Sequence, residues 1–412
     1  MLVTIVRLLP LAALLACHNA PRERALTFEL PPVASPDSVT PRLASTVDGQ
    51  PVLSWQEPSE IGMTLRAARL DEDVWQQPVT IAEGDNWFVN WADFPSVLPV
   101  TREFWAAHWL VRTPGNTYSY NVAIALSNDG GMSWSEAITP HDDNTATEHG
   151  FVSLYPLQGA LGAVWLDGRN TAATGHEAGH SGGMTLRSAR IASDGSISDA
   201  KLIDELVCDC CQTDVAIGGS GPIAVYRNRS NEEIRDIHVS RFVDRQWQAD
   251  AAVANDNWKI AACPVNGPAI ARNDDALAVA WFTAADEDSK VRLAWSFDDA
   301  VSFAEAVDID VDLPVGRVDI EMLANGVAVV SWLRATVNGD AEVCIRTVAS
   351  DGSLGPVHAI ANTGANRASG FPQLLYTGNQ LLLAWTDTSG ETSQVRSATI
   401  NLAMLLDGSG TL

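Results

Sequence analysis

Apolar residues along most of this chain come in short runs, broken by polar turns too often for helices to form. One phrase recurs: a short apolar strand, a turn holding Gly or Asn, and a second apolar strand that ends near Trp. It reads PRLASTVDGQPVLSW from Pro41, FPSVLPVTREFWAAHWL from Phe94, GFVSLYPLQGALGAVWLDGR from Gly150 and CQTDVAIGGSGPIAVYRNR from Cys211. It returns as CPVNGPAIARNDDALAVAWF from Cys263, VDIEMLANGVAVVSWLR from Val318 and SGFPQLLYTGNQLLLAWTD from Ser369. Most copies precede an alternating run: MTLRAARL, NVAIALS, MTLRSARI, DIHVSRF, KVRLAWS, EVCIRTV, QVRSATI. Alternation with period two over so few residues predicts half-buried strands.

Each copy thus supplies an inner, a second and a third strand, with a shorter outer one. Starts about 50–60 residues apart are the period of propeller blades. The expectation is an all-β propeller of seven four-stranded blades over residues 39–402. The last copy stops after its third strand, near Ile400. ALTFEL, Ala25–Leu30, is placed to supply the missing outer strand and close the ring, which removes exposed sheet edges. Fourteen Trp suit blades packed face to face.

The octet SNDGGMSW, Ser127–Trp134, has the form Ser-x-Asp-x-Gly-x-Ser-Trp. A looser copy, SFDDAVSF, spans Ser296–Phe303, and echoes begin at Ser193 and Ser350. These octets resemble the Asp-box of sialidase-type β-propellers. That family has six blades, the alternative to the count of seven. The resemblance implies a glycoside hydrolase that holds an acidic sugar with three arginines and uses a Tyr–Glu nucleophile pair and an Asp acid. Carried onto this chain, Arg42 matches the first-blade arginine, although the Ile-Pro that follows it in the family is absent. Asp93 is the candidate for the place of the acid; Tyr226 and Glu232 are further catalytic candidates to which the resemblance assigns no family position. Asp167, Arg169, Arg227, Arg229 and Arg317 are the remaining ligand-binding candidates, with salt bridging between blades as the other reading of these arginines.

The first 16 residues, MLVTIVRLLPLAALLA, followed by Cys17, resemble a bacterial lipoprotein signal. The resemblance implies lipid on Cys17, a tether over 17–38, and a place in the cell envelope. His18 after the cysteine points to the outer membrane. Residues 403–412 read as a tail, and the chain as a monomer. A formal net charge of −25 excludes nucleic acid as a partner, because the basic surface that neutralises phosphates is missing. A glycan, an envelope protein or a metal ion remain as ligands.

Propeller topology puts the connections into the inner strands, and those between second and third strands, on one face at the central channel. The unusual side chains cluster there. Cys208, Cys210 and Cys211 lead into the fourth copy and Cys263 into the fifth, equivalent places on adjacent blades. In an oxidising compartment they pair as disulfides, with Cys263 bridging to one of the other three. Alternatively they hold copper or zinc. His149, His176 and His180 extend that second reading to one His/Cys centre, or are solvated loop residues. Cys344 reads as a lone buried thiol. Two functions follow: a non-catalytic lipid-anchored propeller that binds a ligand at this rim, or a sialidase-like exo-glycosidase.

Overall fold

In the computed structural model, residues 25–115, 117–171 and 182–407 are described. Residues 1–24, with Cys17, and the loop holding His176 and His180 lie outside them. Strands form seven antiparallel sheets, consecutive along the chain. The inner strands are Val39–Ser45, Ser96–Pro99, His149–Leu157, Asp214–Ile217, Ala269–Arg272, Pro314–Met322 and Gln373–Tyr376. Each touches the next, and the last touches the first, so the sheets form a closed ring of seven blades. Outer strands are less regular. In blades 1 and 4 the outer strand is split in two, and in blade 2 it shrinks to one bridge between Ile124 and Ile138.

The ring closes as the sequence suggested. Thr27–Glu29 pairs antiparallel with the last third strand, Thr27 opposite Ile400. Leu30, Ala34 and Ser38 are buried behind it. Part of the segment 17–38, from Thr27 onward, thus packs with the propeller. A short helix, Leu402–Asp407, caps the last blade by burying Leu405.

The Trp that ends each second strand has a common role. Trp55, Trp109, Trp165, Trp281, Trp332 and Trp385 occupy the same register and are all buried. Burying such a ring is worth roughly 4–6 kcal/mol of gross apolar transfer. Four of the indoles donate to a carboxylate: Trp55 to Glu57 (2.7 Å), Trp165 to Asp167 (2.9 Å), Trp281 to Asp256 (2.7 Å) and Trp332 to Asp310 (2.6 Å). Blade 4 carries Tyr226 at this register, and its hydroxyl donates to Asp204 on the outer strand of blade 3 (2.7 Å). Part of the negative charge is therefore structural.

The octets SNDGGMSW and SFDDAVSF adopt the same turn, between third and outer strands. Asp129 accepts from the N–H of Met132 (3.0 Å) and Ser133 (2.9 Å), and Ser127 Oγ accepts from Gly131 N–H (2.8 Å). Asp298 and Ser296 repeat the pattern toward Ser302 and Ala300. Gly131 needs to be glycine: its φ is +83°, and a Cβ there would come within 2.7 Å of the Trp105 ring. These turns lie at the opposite end of the blades from the cysteines.

Candidate functional site

Cys208 follows the outer strand of blade 3, Ile197–Val207, and its N–H donates to Arg227 O (3.0 Å). The next three residues turn the chain toward the inner strand of blade 4. That turn brings Cys208 Sγ to 3.0 Å from Cys211 Sγ and 4.0 Å from Cys210 Sγ. The Cys263 thiol arrives ahead of blade 5, and neighbouring Cys210 holds it below its usual range. Cys208 and Cys211 are buried, Cys210 is half-buried and Cys263 exposed, and all four are free thiols. The expected bridge from Cys263 is not formed. The closest sulfurs, at 3.0 Å, lie beyond the ~2.05 Å of a disulfide. Cys344 is a buried free thiol in the third strand of blade 6.

Arginine frames the cluster. Arg235 Nη1 lies 3.4 Å from Cys208 Sγ and its Nη2 is 2.9 Å from Glu233 Oε2. Arg229 joins Glu233 (2.6 Å) to Asp209 (3.2 Å). Burial pushes the Cys208 thiol up, but the thiols of Cys210 and Cys211 and the guanidinium groups of Arg235 and Arg227 outweigh it and hold Cys208 well below its usual range. The cost falls on Cys210, whose thiol is pushed well up by its contacts with Cys208, Cys211 and Cys263 and by burial.

His149 does not join the sulfurs. It opens the inner strand of blade 3, and its Nε2 is 3.0 Å from Asp143 Oδ2. His141 stacks on it, ring centroids 3.8 Å apart at 7°. Arg169 holds Asp167 by Nε (2.7 Å) and Nη2 (2.8 Å) and also reaches Asp143 (3.1 Å). Asp167 also accepts from Trp165, so Asp167 and Arg169 form a structural brace beside the histidines. Burial and the neighbouring His149 press His141 down to about 4.

Between the two clusters lies a third, which sequence reading found only in part. Asp93 is buried and accepts from Phe151 N–H (2.7 Å), which ties blade 2 to blade 3. Tyr120 OH donates to Glu148 Oε1 (2.7 Å) and lies 3.2 Å from Asp93 Oδ2. One hydroxyl has one proton, so the second contact needs a protonated carboxyl. Burial supplies it, raising Asp93 to about 7 and Glu148 to about 8. Tyr120 is fully buried and stacked on Phe88 at 4.1 Å. Glu148 and His141 had a signal in HDDNTATEHG, where titratable residues crowd just before an inner strand; Tyr120, in an ordinary third strand, had none.

Of the residues suggested by the sialidase resemblance, Arg42 and Asp93 line one cavity, and the others lie apart from it. Tyr226 is the blade-4 member of the Trp register, while Glu232 is exposed in the loop beyond it, so they form no pair. Tyr226→Phe should therefore lower stability by about 1–2 kcal/mol in urea denaturation, with ligand binding untouched. Arg227 is buried and gives its N–H groups to the carbonyls of Asn266 (2.9 Å), Arg235 (2.6 Å) and Phe282 (2.7 Å), lying over Trp258. Arg317 donates to Ser369 Oγ (2.8 Å) and the Gly370 carbonyl (3.2 Å), over Trp91. Arg42 alone reaches the central channel, where it bonds Gln373 and lines a cavity of about 430 Å³ with Asp93, Asp214 and Asp319. No three arginines share one pocket among the described residues.

No protein-family model matches the chain, and no curated protein matches it in sequence. Solved structures do. Trypanosoma rangeli sialidase in complex with the inhibitor DANA is 13% identical, over 80% of this chain and 57% of that one, with a TM-score of 0.50. This is a sialidase-like β-propeller fold. Penicillium chrysogenum alpha-L-arabinanase complexed with arabinobiose is 12% identical over 92% of this chain and 99% of that one, at a TM-score of 0.49. A protein of unknown function from Dyadobacter fermentans is 11% identical over 91% and 98%, at 0.48. At such identities the likeness is one of fold, and the chemistry has to be argued from the site.

Proposed function

We propose that this protein is an exported, lipid-anchored propeller that captures a thiophilic metal ion, Cu(I) or Zn(II), at the channel mouth without glycoside turnover. One observation carries the reading: three thiols of the connection into blade 4, Cys208, Cys210 and Cys211, have their ligand atoms within 4.8 Å of one another. Cys263, exposed ahead of blade 5, is near enough for Cys210 to act on its titration. Thiolates select soft ions. Asp209 lies close enough to act on Cys263 electrostatically, so an arriving cation meets negative charge. The lipid anchor rests on the sequence of the first 17 residues. Arg227 and Arg317 donate to groups of neighbouring blades and are not free to hold an acidic sugar.

Metal-free protein prepared anaerobically should take up one Cu(I) per chain against a chromophoric chelator, with sulfur-to-metal charge-transfer absorption. Cys208→Ser combined with Cys211→Ser should weaken uptake at least 100-fold. A thiol count showing these cysteines already oxidised, with no metal bound, would overturn the reading. So would turnover of a fluorogenic sialoside that Arg42→Ala abolishes.

A further inference from the structure

We infer that His141, Asp143 and His149 form a second metal site, separate from the thiols, for a divalent transition-metal ion bound through two imidazoles and one carboxylate. The three side chains come from the connection into blade 3 and the first residue of its inner strand, and their ligand atoms lie within 4.8 Å of one another. Asp143 Oδ2 is 3.0 Å from His149 Nε2 and 3.3 Å from His141 Nδ1. Ligand bonds of about 2.0–2.1 Å in a tetrahedron set neighbouring ligand atoms roughly 3.3 Å apart.

The hydrogen bonds around the cluster are those of a ligand set. His149 Nδ1 lies 3.3 Å from the Tyr120 carbonyl and donates its proton there. The other ring nitrogen, Nε2, faces Asp143 Oδ2 at 3.0 Å, and a cation placed between them would replace that hydrogen bond. A backbone carbonyl that fixes the tautomer in this way is the usual support of a metal-bound histidine. Asp143 is oriented in turn: its Oδ1 accepts from Thr145 N–H (2.9 Å), which leaves Oδ2 facing the rings.

His141 is the decisive residue. Its side chain is 3% exposed, and neither ring nitrogen makes a hydrogen bond; the approach to Asp143 is off the bonding direction. A buried imidazole without a partner is rare and asks for an ion or water that satisfies it. The rings lie parallel, so His141 must turn about its Cβ–Cγ bond to point at an ion shared with His149. That torsion is soft. Imidazole and carboxylate suit Zn(II) or Cu(II), whereas the thiols beyond Glu148 suit softer ions.

The test uses the full chain, metal-free, titrated with Zn(II) and with Co(II) as a spectroscopic probe. Wild type should bind two equivalents. His141→Gln and Asp143→Asn should each remove one, weakening it at least 30-fold, and leave the sulfur-to-cobalt band in place. A variant with Cys208, Cys210, Cys211 and Cys263 all changed to Ser should keep one equivalent, with only nitrogen and oxygen neighbours in X-ray absorption. Unchanged stoichiometry in His141→Gln overturns the inference. So does sulfur ligation of every bound ion. If the four-serine variant does not fold, the two single variants decide. Loss of the thiol equivalent alone bears on the proposed function and leaves this site standing.

Discussion

Arg227→Ala is expected to lower folding stability by about 3–5 kcal/mol, which in a propeller of this size shifts Tm by roughly 4–6 °C. The guanidinium is buried and bonds three carbonyls, on Asn266, Arg235 and Phe282. These belong to the loops of blade 4, the connection ahead of blade 5 and the second strand of blade 5. Truncation strands buried acceptors, each at a cost of about 1–3 kcal/mol, part of which water entering the cavity recovers. It also removes the cation from the face of Trp258, 4.9 Å away. Arg227→Lys should rescue little, because one ammonium on a flexible stem does not match donors fanned in a plane. Urea denaturation of the three proteins checks this. Unchanged stability with lost ligand binding would return Arg227 to the role that the sialidase resemblance suggested.

The second large effect depends on pH. Glu148 is raised from 4.5 to about 8 and Asp93 from 3.8 to about 7, in both cases chiefly by burial. A carboxyl whose folded pKa is above its unfolded one holds more protons folded than unfolded. Its contribution is therefore most favourable below pH 4 and is lost as pH rises toward 8, by up to about 1.4 kcal/mol per pH unit for each group. Wild-type stability should decline across that window. Glu148→Gln keeps an acceptor for Tyr120 and removes one titration, so its curve should be flatter. At pH 8 the variant should be more stable than wild type by on the order of 3 kcal/mol. Chemical denaturation at pH 5 and pH 8 decides; parallel curves would show that Glu148 is ionised in the folded protein.

The repeat made the architecture readable because each blade reuses the same physics. Apolar alternation gives the strands, the Trp at one register gives the wedge between sheets, and the unmatched third strand near Ile400 asked for Ala25–Leu30 as its partner. What failed was the direction of individual side chains. Arg227 and Arg229 are two apart in one loop, yet one is sealed among carbonyls and the other pairs with Asp209 and Glu233. Tyr226 looked chemical because it adjoins them. Aligning the seven second strands by their Trp would have shown it to be a packing residue. The His141–His149 stack was hidden for another reason. His141 sits in a connection that follows no repeat, so its position had no template.

The closure of the last blade bears on how the protein is made. The strand that completes it, Thr27–Glu29, leaves the ribosome among the earliest described residues, and its partner Gln394–Ile400 among the latest. Six blades can therefore assemble while synthesis continues, but the final seam waits for nearly the whole polypeptide. Until then Phe28 and the edge it will cover stay available to wrong partners, and the slow step of maturation is the meeting of the two ends.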